Sequence, residues 1–228
     1  MSRTKSELYF EEIGENFANW MSAYDVGRRI EVIRGLLPEG ARQATTLEIG
    51  CGTGAISEAI APLVGPLTVS DYSEKLSREA GERVGASWCR QDACAIALPD
   101  ASFDLVFSSE CVEHTPDPRL ALREMVRVTR PGGTLIVTSP NKLWYPVLLL
   151  SMALKIRKFA GNEIWLYPWE AARTLEECGL RDIRITGCHL FPWQLPFARS
   201  ILPFFDRFGS TLYPLMINWG VRGTRPRG

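Results

Sequence analysis

Leu47-Glu48-Ile49-Gly50-Cys51-Gly52-Thr53-Gly54 is the stretch on which the fold of this chain turns. Residues Thr45–Ile49 read as a short strand, and that strand breaks on glycines at 50, 52 and 54. The chain then resumes as a helix over Gly54–Leu63, stopped by Pro62 and Gly65. A glycine-rich turn between strand and helix lets backbone approach a ligand closely, at a helix end that favours negative charge.

The same unit repeats outward from that loop. Leu67–Ser70 reads as a strand ending at Asp71, followed by a helix over Ser73–Val84. Ala86–Arg90 is a strand ending at Asp92, and Phe103–Ser108 a strand ending near Glu110. Pro118–Val128 is a helix, Arg130–Gly133 a turn, and Thr134–Thr138 a strand. Strands alternating with helices predict a parallel sheet covered on both faces, with ligands bound beyond the carboxyl ends of the strands. Asp71, Asp92 and Glu110 all fall at such ends.

Upstream, Leu8, Phe10, Ile13, Phe17, Trp20, Ile30, Ile33, Leu36 and Leu37 recur at helical spacing up to Pro38-Glu39-Gly40. Residues 1–40 are expected to form a helical lid, with Tyr9, Phe10, Phe17 and Trp20 closing the site, and 41–142 the ligand-binding core. Residues 143–228 are expected to add substrate-cap insertions and closing strands. Leu143–Lys158 is intensely apolar and ends in Lys155, Arg157 and Lys158, and Pro168–Cys178 is an amphipathic helix. Arg181–Thr186 and Asn218–Gly223 read as the closing strands, with the aromatic, proline-rich Leu190–Met216 inserted between them above the sheet.

Composition narrows the function. The chain has 228 residues, 46% of them hydrophobic, with 26 basic against 26 acidic side chains. A balanced charge argues against a nucleic-acid partner, which needs a basic field. The six cysteines contain no C-x-x-C pair and read as reduced thiols. The N-terminus lacks the apolar core of a signal peptide, and no stretch reaches the ~20 apolar residues of a membrane span. A cytoplasmic protein is the expectation.

The glycine loop alone leaves two cofactors open. Gly50-x-Gly52-x-x-Ala55 with Asp71 downstream also satisfies the dinucleotide fingerprint of nicotinamide enzymes. Glu48 beside the loop tilts the balance, because a carboxylate repels a pyrophosphate and suits a cationic ligand. Leu47–Gly54 resembles the first motif of class I S-adenosylmethionine-dependent methyltransferases. The resemblance extends through Val69-Ser70-Asp71-Tyr72, Arg90-Gln91-Asp92-Ala93, Phe103-Asp104-Leu105-Val106 and Arg130-Pro131-Gly132-Gly133, over roughly residues 45–140. It implies a Rossmann-like sheet of seven strands, mostly parallel with the last antiparallel. It also implies S-adenosyl-L-methionine as cofactor, held by Glu48, Gly50, Cys51, Gly52, Gly54, Asp71, Tyr72, Asp92, Ala93 and Ser109. Asp71 falls at the family's ribose-binding acid and Asp92 at its adenine-binding one.

Glu110-Cys111-Val112-Glu113-His114 resembles a cluster in the ubiquinone-biosynthesis O-methyltransferases that is associated with a divalent metal. Glu110, Glu113 and His114 would then ligate Mg²⁺ or Zn²⁺, a set whose spacing alone is a weak metal signal. His114, with Glu113 beside it, is also the candidate general base, since imidazole titrates near neutrality; the alternative is that the pair only opens the following helix. His189 is the second candidate base. The aromatic insertion points to a small hydrophobic or aromatic acceptor, methylated at a hydroxyl oxygen. C-methylation of a quinol, isoprenoid or natural product and methylation of a sugar stay open. Residues 143–158 are read either as a peripheral membrane contact or as a lid helix over the pocket.

Overall fold

The structure is a computed structural model that describes residues 23–155 and 163–227. Seven strands form one sheet: β1 Thr46–Ile49, β2 Leu67–Asp71, β3 Ser87–Arg90, β4 Phe103–Ser109, β5 Thr129–Pro140, β6 Arg181–Cys188 and β7 Asn218–Thr224. Their order is β3-β2-β1-β4-β5-β7-β6. Pairing is parallel throughout except for β7, which runs antiparallel to both β5 and β6. The expected architecture is therefore the observed one.

Alternation along the central strands divides the core into two layers. Leu47 and Ile49 of β1, Val106 of β4, and Leu135 and Val137 of β5 pack on one face with Leu122, Met125 and Leu175. Leu105 and Phe107 of β4 and Ile136 of β5 pack on the other with Ile33, Ile60 and Val69. Helices α1 (Ala23–Leu36), α2 (Ala55–Ile60) and α3 (Glu74–Val84) belong to the second face, and α4 (Pro118–Val128) and α6 (Pro168–Glu177) to the first. Helix α5 (Tyr145–Ala153) follows β5, and α7 (Ala198–Asp206) with the short α8 (Gly209–Leu212) lies between β6 and β7.

The helix boundaries have local causes. Pro118 sits in the first turn of α4, where its missing N–H costs nothing, and Asp117 Oδ1 accepts from the N–H groups of Arg119 and Leu120 at 3.0 Å. Ser73 caps α3, and Gly85 ends it with φ 67°. The expected turn at Arg130–Gly133 lies inside β5 instead. Phe103 pairs with Thr129 and Leu105 with Thr134, so the four intervening residues bulge out of the ladder. That bulge is stitched to the chain end by Gly132 N to Arg225 O (2.7 Å) and Arg225 N to Gly133 O (2.9 Å).

Of the expected N-terminal helical region, residues 6–22, including Tyr9, Phe10, Phe17 and Trp20, lie outside the described residues. The later part, α1, is built into the core, with Ile33 fully buried. Among the described residues no helix is long and apolar enough to cross a membrane. Sequence neighbours part at β1 and β4: β1 leads outward to β2 and β3, and β4 leads the other way to β5. Such a switch point opens a crevice at the carboxyl edge, flanked here by the loops after β1 and β4.

Candidate cofactor and acceptor site

The three glycines after β1 are all left-handed, with φ of 77° at Gly50, 50° at Gly52 and 82° at Gly54. Their spatial needs differ. A Cβ on Gly50 would stand 2.4 Å from Cys111 Sγ, so the loop is pressed against the segment after β4. A Cβ on Gly54 would meet Ala80 Cβ of α3 at 3.0 Å, whereas nothing lies within 4 Å of one on Gly52. Gly52 therefore borders open space, as a backbone cradle for a ligand requires.

Asp71, the last residue of β2, joins that cradle. Its Oδ2 accepts from Gly52 N at 2.9 Å and its Oδ1 from Ser73 N at 2.9 Å. Burial raises its carboxyl above the usual range, while those N–H groups pull it back. Glu48 has a different place from the free carboxylate expected beside the cofactor. It is 1% exposed, lies beneath the loop, and its Oε2 accepts from Ser57 Oγ of α2 at 2.5 Å. Burial pushes this carboxyl up to about 8; the Ser57 hydroxyl lowers it and nearby Asp71 raises it further.

The remaining expected cofactor residues line the same edge in different ways. Cys51 and Ala93 turn their side chains into the two core layers, which leaves their backbone for a ligand. Asp92 is exposed at the end of β3, where its Oδ1 accepts from Cys94 N at 2.8 Å. Arg90 stacks over the Tyr72 ring at 5.0 Å and donates to Tyr72 O at 3.0 Å. Ser109 Oγ is 2.9 Å from Thr138 Oγ1.

Beyond β4 the acidic cluster does not converge. Glu110 adopts φ 52°, a conformation that costs a non-glycine residue roughly 1–3 kcal/mol and persists only where its surroundings enforce it. Its Oε2 accepts from Asn218 Nδ2 at 3.1 Å and faces Arg29 Nη2 at 3.7 Å, while Oε1 accepts from Thr138 Oγ1 at 3.5 Å. Glu113 is 2% exposed and turned inward, accepting from Ser139 Oγ at 3.1 Å. Burial, with Glu110 nearby, holds its carboxyl well above the usual range. His114 is half-buried on a single turn at Val112–His114.

Among the described residues no three His, Cys, Asp or Glu side chains are placed to hold a metal ion. The expected Glu110–Glu113–His114 ligand set is thus corrected: Glu113 is inside, and a guanidinium stands against Glu110. These residues do not fit a divalent cation, and Glu113 is also too enclosed for the catalytic role expected of it.

Sequence reasoning missed the residues that enclose Glu110. Asp25 and Arg29 form an ion pair one turn apart on α1, and Asp25 Oδ1 is 3.1 Å from His189 Nε2. His189, expected as the second base, is fully buried with φ 63°, its ring 4.7 Å from Trp193 and 5.6 Å from Tyr24. Its backbone N–H is held by Asp206, which pairs with Arg28. The only sequence signal was the charged Asp25-x-x-x-Arg29 step on a helix otherwise read by its apolar period.

The two insertions stand at the same carboxyl edge, joined where Asn141 Nδ2 donates to the carbonyls of Pro214 and Met216 at 3.0 Å. They leave large apolar side chains in solvent: Val147, Leu149, Leu150 and Leu154 on one, and Phe197, Ile201, Phe204 and Phe208 on the other. The latter four recur at helical spacing along one stripe of α7 and its flanks.

Residues 47–137 match the family described as methyltransferase domain. Over 170 residues the chain is 37% identical to 2-methyl-6-phytyl-1,4-hydroquinone methyltransferase of Synechocystis, covering 70% of this chain and 52% of that protein. The chain therefore spans about half the length of that relative. It is 26% identical to the ubiquinone biosynthesis O-methyltransferase of Coxiella burnetii over 68% of this chain and 70% of the relative. Among solved structures, a SAM-dependent methyltransferase of Thermotoga maritima superposes with a TM-score of 0.70 at 21% identity, covering 95% of this chain and 98% of that one. The N-methyltransferase NodS of Bradyrhizobium japonicum, in complex with S-adenosylhomocysteine, superposes with a TM-score of 0.68 at 21% identity, covering 97% and 98%.

Proposed function

We propose that this chain is a class I S-adenosylmethionine-dependent methyltransferase that methylates a hydroxyl oxygen of a small, hydrophobic aromatic acceptor. The observation that carries the reading is the cradle itself: Gly52 bordering open space, its N–H bound to the Asp71 carboxylate, at the switch point of the sheet. Gly50, Gly52 and Gly54 would supply backbone to the cofactor, Asp71 its ribose contact, and Asp92 and the Ala93 backbone its adenine contact. When bound, S-adenosylmethionine supplies an electrophilic methyl group on a sulfonium and leaves as a neutral thioether.

The chain's own task is then to orient the acceptor and remove its proton. His114 is proposed for the proton, because it is half-buried and lies three residues after Cys111, which touches the loop. The acceptor class is supported by the relatives' names, a phytyl hydroquinone and the ubiquinone pathway. Methylation of a ring carbon of such a hydroquinone is the second reading.

The exposed apolar side chains of α5 and α7 support a peripheral membrane contact at the mouth of the site. Lys142, Lys155, Arg199 and Arg207 are exposed on the same two insertions, a charge suited to anionic lipid. Arg157 and Lys158, expected to share in this contact, lie outside the described residues. Calorimetry with S-adenosylhomocysteine and with NADH tests the reading at its base: binding of the first is expected, and binding of NADH alone overturns it.

A further inference from the structure

Arg184 of β6 and Arg222 of β7 stand directly opposite each other across their antiparallel pair, with Ile136 of β5 on the other side of Arg222. Alternation puts both on the sheet face that carries α1. Ile183 and Ile185, which flank Arg184, pack on the opposite face, and a Cβ on Gly220, two residues before Arg222, would meet Val32 and Leu36 of α1. Like charges facing each other across two strands destabilise a sheet. Nothing among the described residues neutralises this pair: neither arginine makes a hydrogen bond or salt bridge, and Arg222 Nε is buried without a partner. Burial and the facing Arg184 hold the Arg222 guanidinium below its ordinary range, and Asp182 offsets this only in part. Asp182 is exposed, at φ 52°, in the bulge between Arg181 and Arg184.

We propose that Arg184 and Arg222 form a binding site for a phosphate dianion, free or as a monoester, on the α1 face of the sheet. Each guanidinium presents a planar fork of donors that matches phosphate oxygens. Two facing positive charges call for two negative ones. A phosphate monoester carries about −1.5 to −2 at neutral pH and offers three acceptor oxygens, whereas chloride or a carboxylate leaves one guanidinium uncompensated. Phosphate between the forks supplies an acceptor to the unpartnered Arg222 Nε and replaces repulsion by attraction.

The site is separate from the cofactor edge. Asn218, at the start of β7, donates to Glu110, and Arg222 lies four residues further along, ~13 Å at the rise of a strand. It therefore stands or falls independently of the methyl-transfer reading.

Thermal unfolding in chloride and in inorganic phosphate, at matched ionic strength, tests the pair. In chloride, Arg184→Gln removes one of two like charges and is expected to raise Tm above wild type. In phosphate, the wild type is expected to gain stability that the variant does not, so that the gap closes. Calorimetry with inorganic phosphate should show binding about tenfold weaker in Arg184→Gln and in Arg222→Gln, the scale of one charge-assisted hydrogen bond. S-adenosylhomocysteine affinity should stay within about twofold of wild type in both; Arg184 is exposed, so its variant tests the site without disturbing the core. Glycerol 3-phosphate and phosphatidic acid vesicles then separate the sources. Binding tighter than that of inorganic phosphate, and lost in Arg184→Gln, marks a soluble monoester in the first case and a lipid headgroup in the second; tighter binding of neither leaves free phosphate as the ligand. Phosphate that fails to stabilise the wild type, or that stabilises wild type and Arg184→Gln equally, would overturn the proposal.

Discussion

Replacing Glu48 by glutamine should make the protein more stable at alkaline pH, although it removes a hydrogen-bonded carboxylate from beneath the cofactor loop. Glu48 is 1% exposed and its carboxyl is pushed from 4.5 up to about 8. A group whose folded pKa exceeds its unfolded one binds its proton more tightly in the folded state. Its contribution to stability is therefore complete below pH ~4.5 and is lost as pH rises through about 8. At ~1.4 kcal/mol per unit the full swing is about 5 kcal/mol, of which roughly 3 kcal/mol falls between pH 6 and pH 9. For a domain of this size that corresponds to a fall in Tm of roughly 6–10 °C. Glutamine has nearly the same shape and still accepts from Ser57 Oγ through its amide oxygen, but it does not titrate. The assay is thermal unfolding of wild type and Glu48→Gln at both pH values, without cofactor. Glu110 and Glu113, also raised by burial, are common to both proteins and cancel in the comparison. Parallel dependence of Tm on pH in the two proteins would refute the reasoning.

His114→Gln should lower turnover about a hundredfold, the lower end of what general-base removal costs, while S-adenosylhomocysteine affinity stays near wild type; undiminished turnover would end its candidacy as base. Co-flotation with vesicles containing anionic phosphatidylserine should fall when Leu150 and Leu154, 59% and 61% exposed, are both changed to serine. It should fall further with Lys155→Glu and with rising salt; binding indifferent to all three changes would remove the membrane contact.

The cofactor half was legible in sequence because its determinants are local. A strand, three glycines and a helix occupy consecutive positions, and Asp71 follows at the end of the next strand. Each strand–helix unit carries its own periodicity and breakers, so Pro118–Val128 could be read without knowing the sheet. Where local signals misled, packing was the cause. Arg130–Gly133 has turn chemistry and makes a turn-like bulge, but β7 and the chain end keep it within the β5 ladder. Glu48 reads as a charge from its position, and only burial under α2 makes it a group that resists ionising.

The polar cluster around Glu110 is illegible for the converse reason. Arg29, Glu110, His189 and Asn218 come from four separate segments, and no spacing relates them. The resemblance of Glu110-x-x-Glu113-His114 to a metal-associated cluster invited a metal, yet the single turn at Val112–His114 sends Glu113 inward to Ser139. The cation that actually faces Glu110 arrives from α1, 81 residues earlier, through a helix whose apolar stripe fixes it to the sheet at Ile33 and Leu36. A helix docked in that way carries Arg29 to a set position as a consequence of burying Ile33. It follows that the charge balance around Glu110 depends on core packing at α1 as well as on the residues after β4.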